Sequence, residues 1–226
     1  DVPTAGAVTN VASLNVWGIA VTKDGKTLDK RRMIQEWLEE REQCGQPLHL
    51  VFLQETWMHD EDEIVIPGYT WIGRNRTKVH AQRTRGSGGT GVLVHESIEH
   101  QVKVLSQPTY GGTEGVIWIK VAHGKSKRHD VYCSLYLERQ RKEFKIDAKA
   151  VFDGIQKDWM RHAQHAHNTF IVGDFNTRVG ELQECKKCGV RGGEPVTVEA
   201  AGKDLVKRLR AMKAAIVHGR LCPWEF

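Results

Sequence analysis

Apolar positions follow two periods along this chain, and the places where the period changes divide it into strands and helices. Residues 8–16 mix β-branched and small side chains and end at Gly18, which predicts a strand running into a turn. After a turn at residues 23–26, Met33, Ile34, Trp37 and Leu38 recur at helical spacing. Thr27 or Asp29 marks the helix start, and Gly45 and Pro47 stop it. The apolar run at residues 48–53 leads directly into Gln54-Glu55-Thr56 and so puts Glu55 at a strand end. Further strands are predicted at residues 69–72, 91–95, 115–121 and 130–137, each bounded by glycines or charged turns. Phe144, Ala148, Val151, Phe152, Ile155 and Trp159 form one apolar stripe, the mark of an amphipathic helix. A strand at residues 169–172 then delivers Gly173-Asp174-Phe175-Asn176-Thr177. Leu205, Leu209, Met212 and Ile216 predict a last helix, basic on its other faces and ending at Gly219; residues 86–91 and 185–195 read as mobile loops. Strands interrupted by a few helices predict an α+β fold of two sheets packed face to face with helices outside. With no internal repeat, one domain over residues 1–226 is expected.

Composition narrows this picture. Forty per cent hydrophobic residues and seven tryptophans supply a sizeable core. No stretch approaches the roughly 20 apolar residues of a membrane span, and no secretory leader opens the chain, so no membrane partner and an intracellular location are expected. The five cysteines are odd in number and scattered, which argues against a disulfide framework. Cys185-Lys186-Lys187-Cys188 has the spacing of half a zinc site, which His218 or Cys222 would complete, or it is a reduced pair in a surface loop. The net charge of +5 is grouped at Arg74, Arg76 and Lys78, at Arg83 and Arg85, at Lys125, Lys127 and Arg128, and along residues 203–213. Such groups either neutralise phosphates or are solvated faces. His162, His165 and His167 read as a polar, partly exposed helix end.

Three places carry candidate chemistry, each a polar residue at the end of an apolar strand: Asn15, Glu55, and the pair Asp174 and Asn176. Acids at rigid strand ends can hold a hard cation and a water in fixed geometry, although acids and amides there also make ordinary turns. Taken together, Ser13-Leu14-Asn15-Val16-Trp17-Gly18, Leu53-Gln54-Glu55-Thr56, Tyr132-Cys133-Ser134-Leu135-Tyr136 and Val172-Gly173-Asp174-Phe175-Asn176-Thr177 resemble, in order and spacing, the motifs of the endonuclease/exonuclease/phosphatase superfamily. That superfamily includes apurinic endonucleases, pancreatic-type deoxyribonucleases and inositol polyphosphate 5-phosphatases. The glycine-bearing strand start Arg85-Gly86-Ser87-Gly88-Gly89-Thr90-Gly91 and the helix start Gly202-Lys203-Asp204-Leu205 look like the endonuclease domains of non-LTR retrotransposons. A phosphate-binding P-loop is the competing reading of the glycines, but its Lys-Ser/Thr ending is absent.

The resemblance implies a four-layer α/β/β/α sandwich of deoxyribonuclease type and a magnesium-dependent phosphodiester hydrolase that nicks DNA, with manganese as an alternative metal. Glu55 would be the principal metal ligand with Asn15 beside it. Asp174 would join them and orient the attacking water, and Asn176 and Tyr136 would hydrogen-bond the phosphate. Arg83, Arg85 and Arg178 are the candidate nucleic-acid contacts. A retroelement protein would act in the nucleus, within a polyprotein that also carries a reverse transcriptase. Alternatives are a sugar-phosphate or inositol phosphatase of the same fold and an inactive nucleic-acid-binding relic. Three departures stand out. Trp17 replaces an Asp or Asn, Leu137-Glu138 replaces a Pro-Asn pair, and the closing strand with its Ser-Asp-His ending would come after residue 220. Without that strand and its general base, the expectation is an impaired catalyst lacking its final strand segment.

Overall fold

The computed structural model describes residues 9–23, 26–59, 61–77, 86–124, 126–138, 145–180, 182 and 198–216. It resolves into two compact units: residues 1–109, 113–138 and 165–175, and residues 110–112, 139–164 and 176–226.

Among the described residues, the first unit holds every strand. In chain order these are β1 (Val11–Asn15), β2 (Ala20–Lys23), β3 (Lys26–Asp29), β4 (Leu50–Gln54), β5 (Tyr69–Arg74), β6 (Thr90–His95), β7 (Val102–Ser106), β8 (Val116–Ala122), β9 (His129–Tyr136) and β10 (Asn168–Asp174). Helix α1 (Lys30–Gln43) lies between β3 and β4. One sheet has the order β1-β4-β6-β5 and the other β10-β9-β8-β7, while β2 and β3 form a separate hairpin. In each large sheet one parallel pair, β1 with β4 and β10 with β9, adjoins antiparallel neighbours. Parallel partners need a crossover of a dozen or more residues. The chain supplies the α1 segment for the first pair and residues 137–167 for the second.

The sheets face one another across Leu50, Phe52, Val92 and Val94 on one side and Ile117, Ile119, Val121 and Tyr132 on the other, all buried. The Phe52 and Tyr132 rings lie 5.9 Å apart across this layer. Because side chains alternate along a strand, Val51, Leu53 and Leu93 point to the opposite face, where Ile34 and Leu38 of α1 cover them. Asp29 caps α1, its carboxylate accepting the Arg31 N–H at 3.0 Å, and Thr27 belongs instead to β3. The predicted turn at residues 23–26 has paired ends, Lys23 of β2 opposite Lys26 of β3.

The second unit contains α2 (Ala148–Ala163) and α3 (Ala200–Met212). The α2 helix begins at its Asp147 cap, which accepts the Ala150 N–H at 3.0 Å. The apolar stripe at Val151, Phe152 and Ile155 is buried as expected, while Phe144 lies outside the described residues. Arg208 of α3 reaches across to α2, meeting Asp153 at 2.5 Å and Gln156 at 3.1 Å. The α3 helix stops at Met212 rather than continuing to Gly219, because Lys213 turns left-handed at φ 54° and its N–H closes on Arg210. The pattern is the expected α+β one, with two sheets and few helices. No helix among the described residues is long and apolar enough to cross a membrane.

Candidate active site

The parallel pairing puts the ends of β1, β4, β9 and β10 to use. Asn15 is the last residue of β1 and pairs with Gln54, the last of β4, so Glu55 leaves the sheet beside Asn15. Asp174 ends β10 and pairs with Tyr136, the last residue of β9. The two sheets are joined at this end by the buried hydroxyls of Thr90 and Ser134, 2.8 Å apart.

Four of the predicted residues converge here. The Asn15 side-chain Nδ2 donates to Glu55 Oε1 and to Asp174 Oδ2, each at 2.9 Å. Two carboxylate oxygens bound to one nitrogen are at most twice that distance apart, within reach of a single hydrated ion. Asn15 Oδ1 accepts the Trp17 N–H at 3.1 Å, which fixes the amide so that its NH2 faces the acids. Trp17, read as the loss of a polar group, therefore contributes through its main chain. Tyr136 is buried beside the Glu55 carboxylate. Burial first, then the charges of Glu55, Glu138 and Asp174, push its pKa well above the ordinary tyrosine value. The phenol stays protonated and acts as a donor.

Backbone strain gathers at the same place. Among the described residues five non-glycines have positive φ, and three of them are Trp17 at 49°, Glu55 at 56° and Trp57 at 54°. Each costs about 1–3 kcal/mol, so the surrounding contacts must hold the loop in shape. The Gly18 N–H bonds Glu55 O at 2.6 Å and the Ile19 N–H bonds Thr56 O at 2.9 Å. From the other side the Trp57 N–H bonds Gly88 O at 2.9 Å. A Cβ on Gly86 would overlap the Trp57 and Met58 backbone, and one on Gly89 the Thr56 hydroxyl. Residues 86–91, expected to be mobile, are instead largely buried and packed against the Glu55 loop. The glycines serve close backbone approach.

The loop also presents an aromatic pair that the sequence did not reveal. The Trp17 and Trp57 ring centroids lie 5.6 Å apart, tilted by 60°, and Trp17 is 65% exposed. Glu138, at the position of the doubtful phosphate donor, is buried in an ion pair with Arg76 at 2.5 Å. It offers no donor to a phosphate. Arg74 binds the Pro108 carbonyl at 2.5 Å and the Thr109 hydroxyl at 2.7 Å. Two of the three cations in the first basic group are thus committed to internal partners.

Asn176 and Arg178 belong to the second unit. Asn176 is left-handed at φ 43°. Arg178 is exposed, with its main-chain N–H 3.4 Å from Glu199. Arg83, Arg85, Cys185, Cys188, His218 and Cys222 lie outside the described residues.

Comparison with known proteins follows the same line. A family model described as "Endonuclease/Exonuclease/phosphatase family" matches residues 12–183, more than half of the chain. A search of curated protein sequences returns no match. Among solved structures, the chain is similar to an AP endonuclease from Leishmania major, with 12% identity, a TM-score of 0.53, and coverage of 89% of this chain and 65% of that one. It is also similar to the 3' phosphatase NExo from Neisseria bound to product DNA hairpin, with 12% identity, a TM-score of 0.52, and coverage of 91% and 71%. At such identity the likeness is one of fold. The chain spans less than two thirds of the length of the Leishmania enzyme.

Proposed function

This chain belongs to the endonuclease/exonuclease/phosphatase family, and we propose that it is a magnesium-dependent phosphodiester hydrolase that nicks DNA. The observation that carries this reading is the Asn15 amide held between the Glu55 and Asp174 carboxylates. Two acids converging at a strand end concentrate negative charge, and an all-oxygen set of few carboxylates fits a hard cation that keeps most of its waters. Glu55 would hold it, with Asn15 and Asp174 beside it, and manganese fits the same donors. When bound, such an ion polarises a phosphoryl oxygen and stabilises the leaving oxygen. Asp174 then orients the attacking water, Asn15 keeps the two acids in register, and the protonated Tyr136 hydroxyl donates to the phosphoryl oxygen as charge develops. Asn176 is assigned a second donor role by family resemblance.

DNA is favoured as substrate by the exposed Trp17 with Trp57 behind it, a surface on which a base can stack, and by the net charge of +5. The wording of residues 85–91 and 202–205 supports a retroelement endonuclease, hence a nuclear location and a neighbouring reverse transcriptase in the natural polypeptide.

The test is nicking of supercoiled plasmid by the natural polypeptide that contains residues 1–226, run beside phosphate release from inositol polyphosphates. Magnesium-dependent nicking that Glu55→Ala and Asp174→Ala abolish is expected. Nicking retained by both variants overturns the site, and phosphate release without nicking moves the substrate to sugar phosphates. DNA binding with no cleavage in any divalent metal would make the domain a binding module.

A further inference from the structure

The strands that bring Tyr136 and Asp174 together at one end bring a different set of ligands together at the other. Asp130 lies six residues before Tyr136 on β9, about 20 Å along the strand. It meets His123, just past the end of β8, and His167, just before β10. The geometry points to a transition-metal site of the zinc class built from His123, Asp130 and His167.

Three segments supply one ligand each. The turn after β8 is closed by the His123 N–H on Arg128 O at 3.0 Å. This sets the imidazole over β9, with His123 Nε2 3.0 Å from Asp130 Oδ2. The His167 N–H bonds His129 O at 2.7 Å and delivers the second imidazole, its Nδ1 3.7 Å from Asp130 Oδ1. All three ligand atoms lie within 4.8 Å of one another. Around a tetrahedral ion with bonds near 2.0–2.2 Å, ligand atoms sit about 3.3–3.5 Å apart. The first pair lies slightly inside that spacing, and rotation of the half-exposed His167 side chain brings the rest to it.

Asn168 orients the set. Its main-chain N–H and its Nδ2 both donate to Asp130 Oδ1 at 3.0 Å, which leaves Oδ2 facing the cluster. The same Nδ2 lies 2.9 Å from His167 Nδ1. An ion bound through Nδ1 would take the place of that contact, while the amide keeps its bond to Asp130 Oδ1 and holds the carboxylate in position.

Charge completes the argument. Asp130 is 7% exposed, and the groups within ion-pair reach of it among the described residues are the two histidines, with no lysine or arginine. A divalent cation held by the two imidazoles would give this buried carboxylate a fixed counter-charge. Two nitrogens and one oxygen select zinc over magnesium, the reverse of the all-oxygen set around Asn15. Three protein ligands leave a fourth position for water. The ion would tie the β8–β9 turn to the start of β10, so its effect is on stability.

The test is zinc binding by the purified chain in excess magnesium, with cobalt as a spectroscopic stand-in. One equivalent of zinc bound with micromolar or tighter affinity is expected, together with a chelator-reversible rise in the melting temperature. His123→Ala and His167→Ala should each weaken binding at least a hundredfold while far-ultraviolet circular dichroism is unchanged. Cobalt bound to the unaltered chain should give visible d–d bands without thiolate charge-transfer absorption. That spectrum tests the ligand set even if a variant fails to fold. Zinc binding that both variants retain, a thiolate band, or no zinc bound at these concentrations overturns the proposal. Since Glu55→Gln removes the principal ligand of the proposed magnesium site, zinc binding that survives in that variant separates this site from the catalytic one.

Discussion

Tyr136 illustrates how burial assigns a role that residue type leaves open. A phenol with an ordinary pKa could lose its proton in a basic site, but burial and the Glu55 carboxylate hold this one protonated. Tyr136→Phe removes a donor whose worth grows in the transition state, so kcat should fall about 10²–10³-fold with little change in KM. A fall confined to KM would show that the hydroxyl serves binding alone. Trp17 makes the opposite contribution, since its ring touches none of the acids' hydrogen bonds. Trp17→Ala should weaken single-stranded DNA binding about tenfold, within the 1–3 kcal/mol of one stacked base, and leave turnover at saturation intact. His49 sets a pH response. Its Nδ1 accepts the Asn10 N–H at 3.0 Å, and desolvation, then the neighbouring His95, lowers its pKa from 6.5. With the folded pKa below the unfolded one, the unfolded chain takes up the proton first as pH falls. Stability should therefore decline below about pH 6.5, and denaturant titrations should show a shallower decline in His49→Gln. An unchanged slope would exclude His49 as its source.

At the scale of elements, the loop that carries Glu55 depends on the glycine run opposite it. Gly89 sits at φ 84° and a Cβ there would overlap the Thr56 hydroxyl, whereas Gly45 at φ 69° has open space around it. Both Gly→Ala changes incur the left-handed backbone cost of about 1–2 kcal/mol. Only Gly89→Ala should also displace Glu55 and abolish cleavage, while Gly45→Ala should lose stability alone; equal activity in the two variants would refute the supporting role of the glycines. This dependence also explains what was legible beforehand. Glu55 and Asp174 could be placed because each follows an apolar run whose period and length define a strand. The tight packing of residues 86–91 could not, since glycine marks mobile loops and close approach alike. Strand β7 carried no clear signal because it is an outer strand of its sheet, with Val104 and Leu105 partly exposed. His167 read as part of a helix end because its partners, His123 and Asp130, are 44 and 37 residues away. Only the register of three strands reveals that cluster.

For the molecule as a whole, charge decides how a polyanion is met. The formal excess is +5, but Arg76 is buried against Glu138, and Arg74 and Arg208 are bound to internal partners. Under the proposed function, contact with phosphates would fall to exposed cations such as Arg178 and the α3 side chains Lys203 and Lys207. If about three phosphates are neutralised, affinity for duplex DNA should fall about fortyfold between 50 and 200 mM salt, since each contact contributes about 0.9 to the logarithmic slope. Reversing Arg178, Lys203 and Lys207 to glutamate should flatten that slope, whereas Arg76→Gln should leave it unchanged and lower thermal stability instead, because it strands a buried carboxylate. Affinity that is insensitive to salt would mean that no phosphate backbone is engaged, and it would remove DNA from consideration even with Glu55 and Asp174 intact.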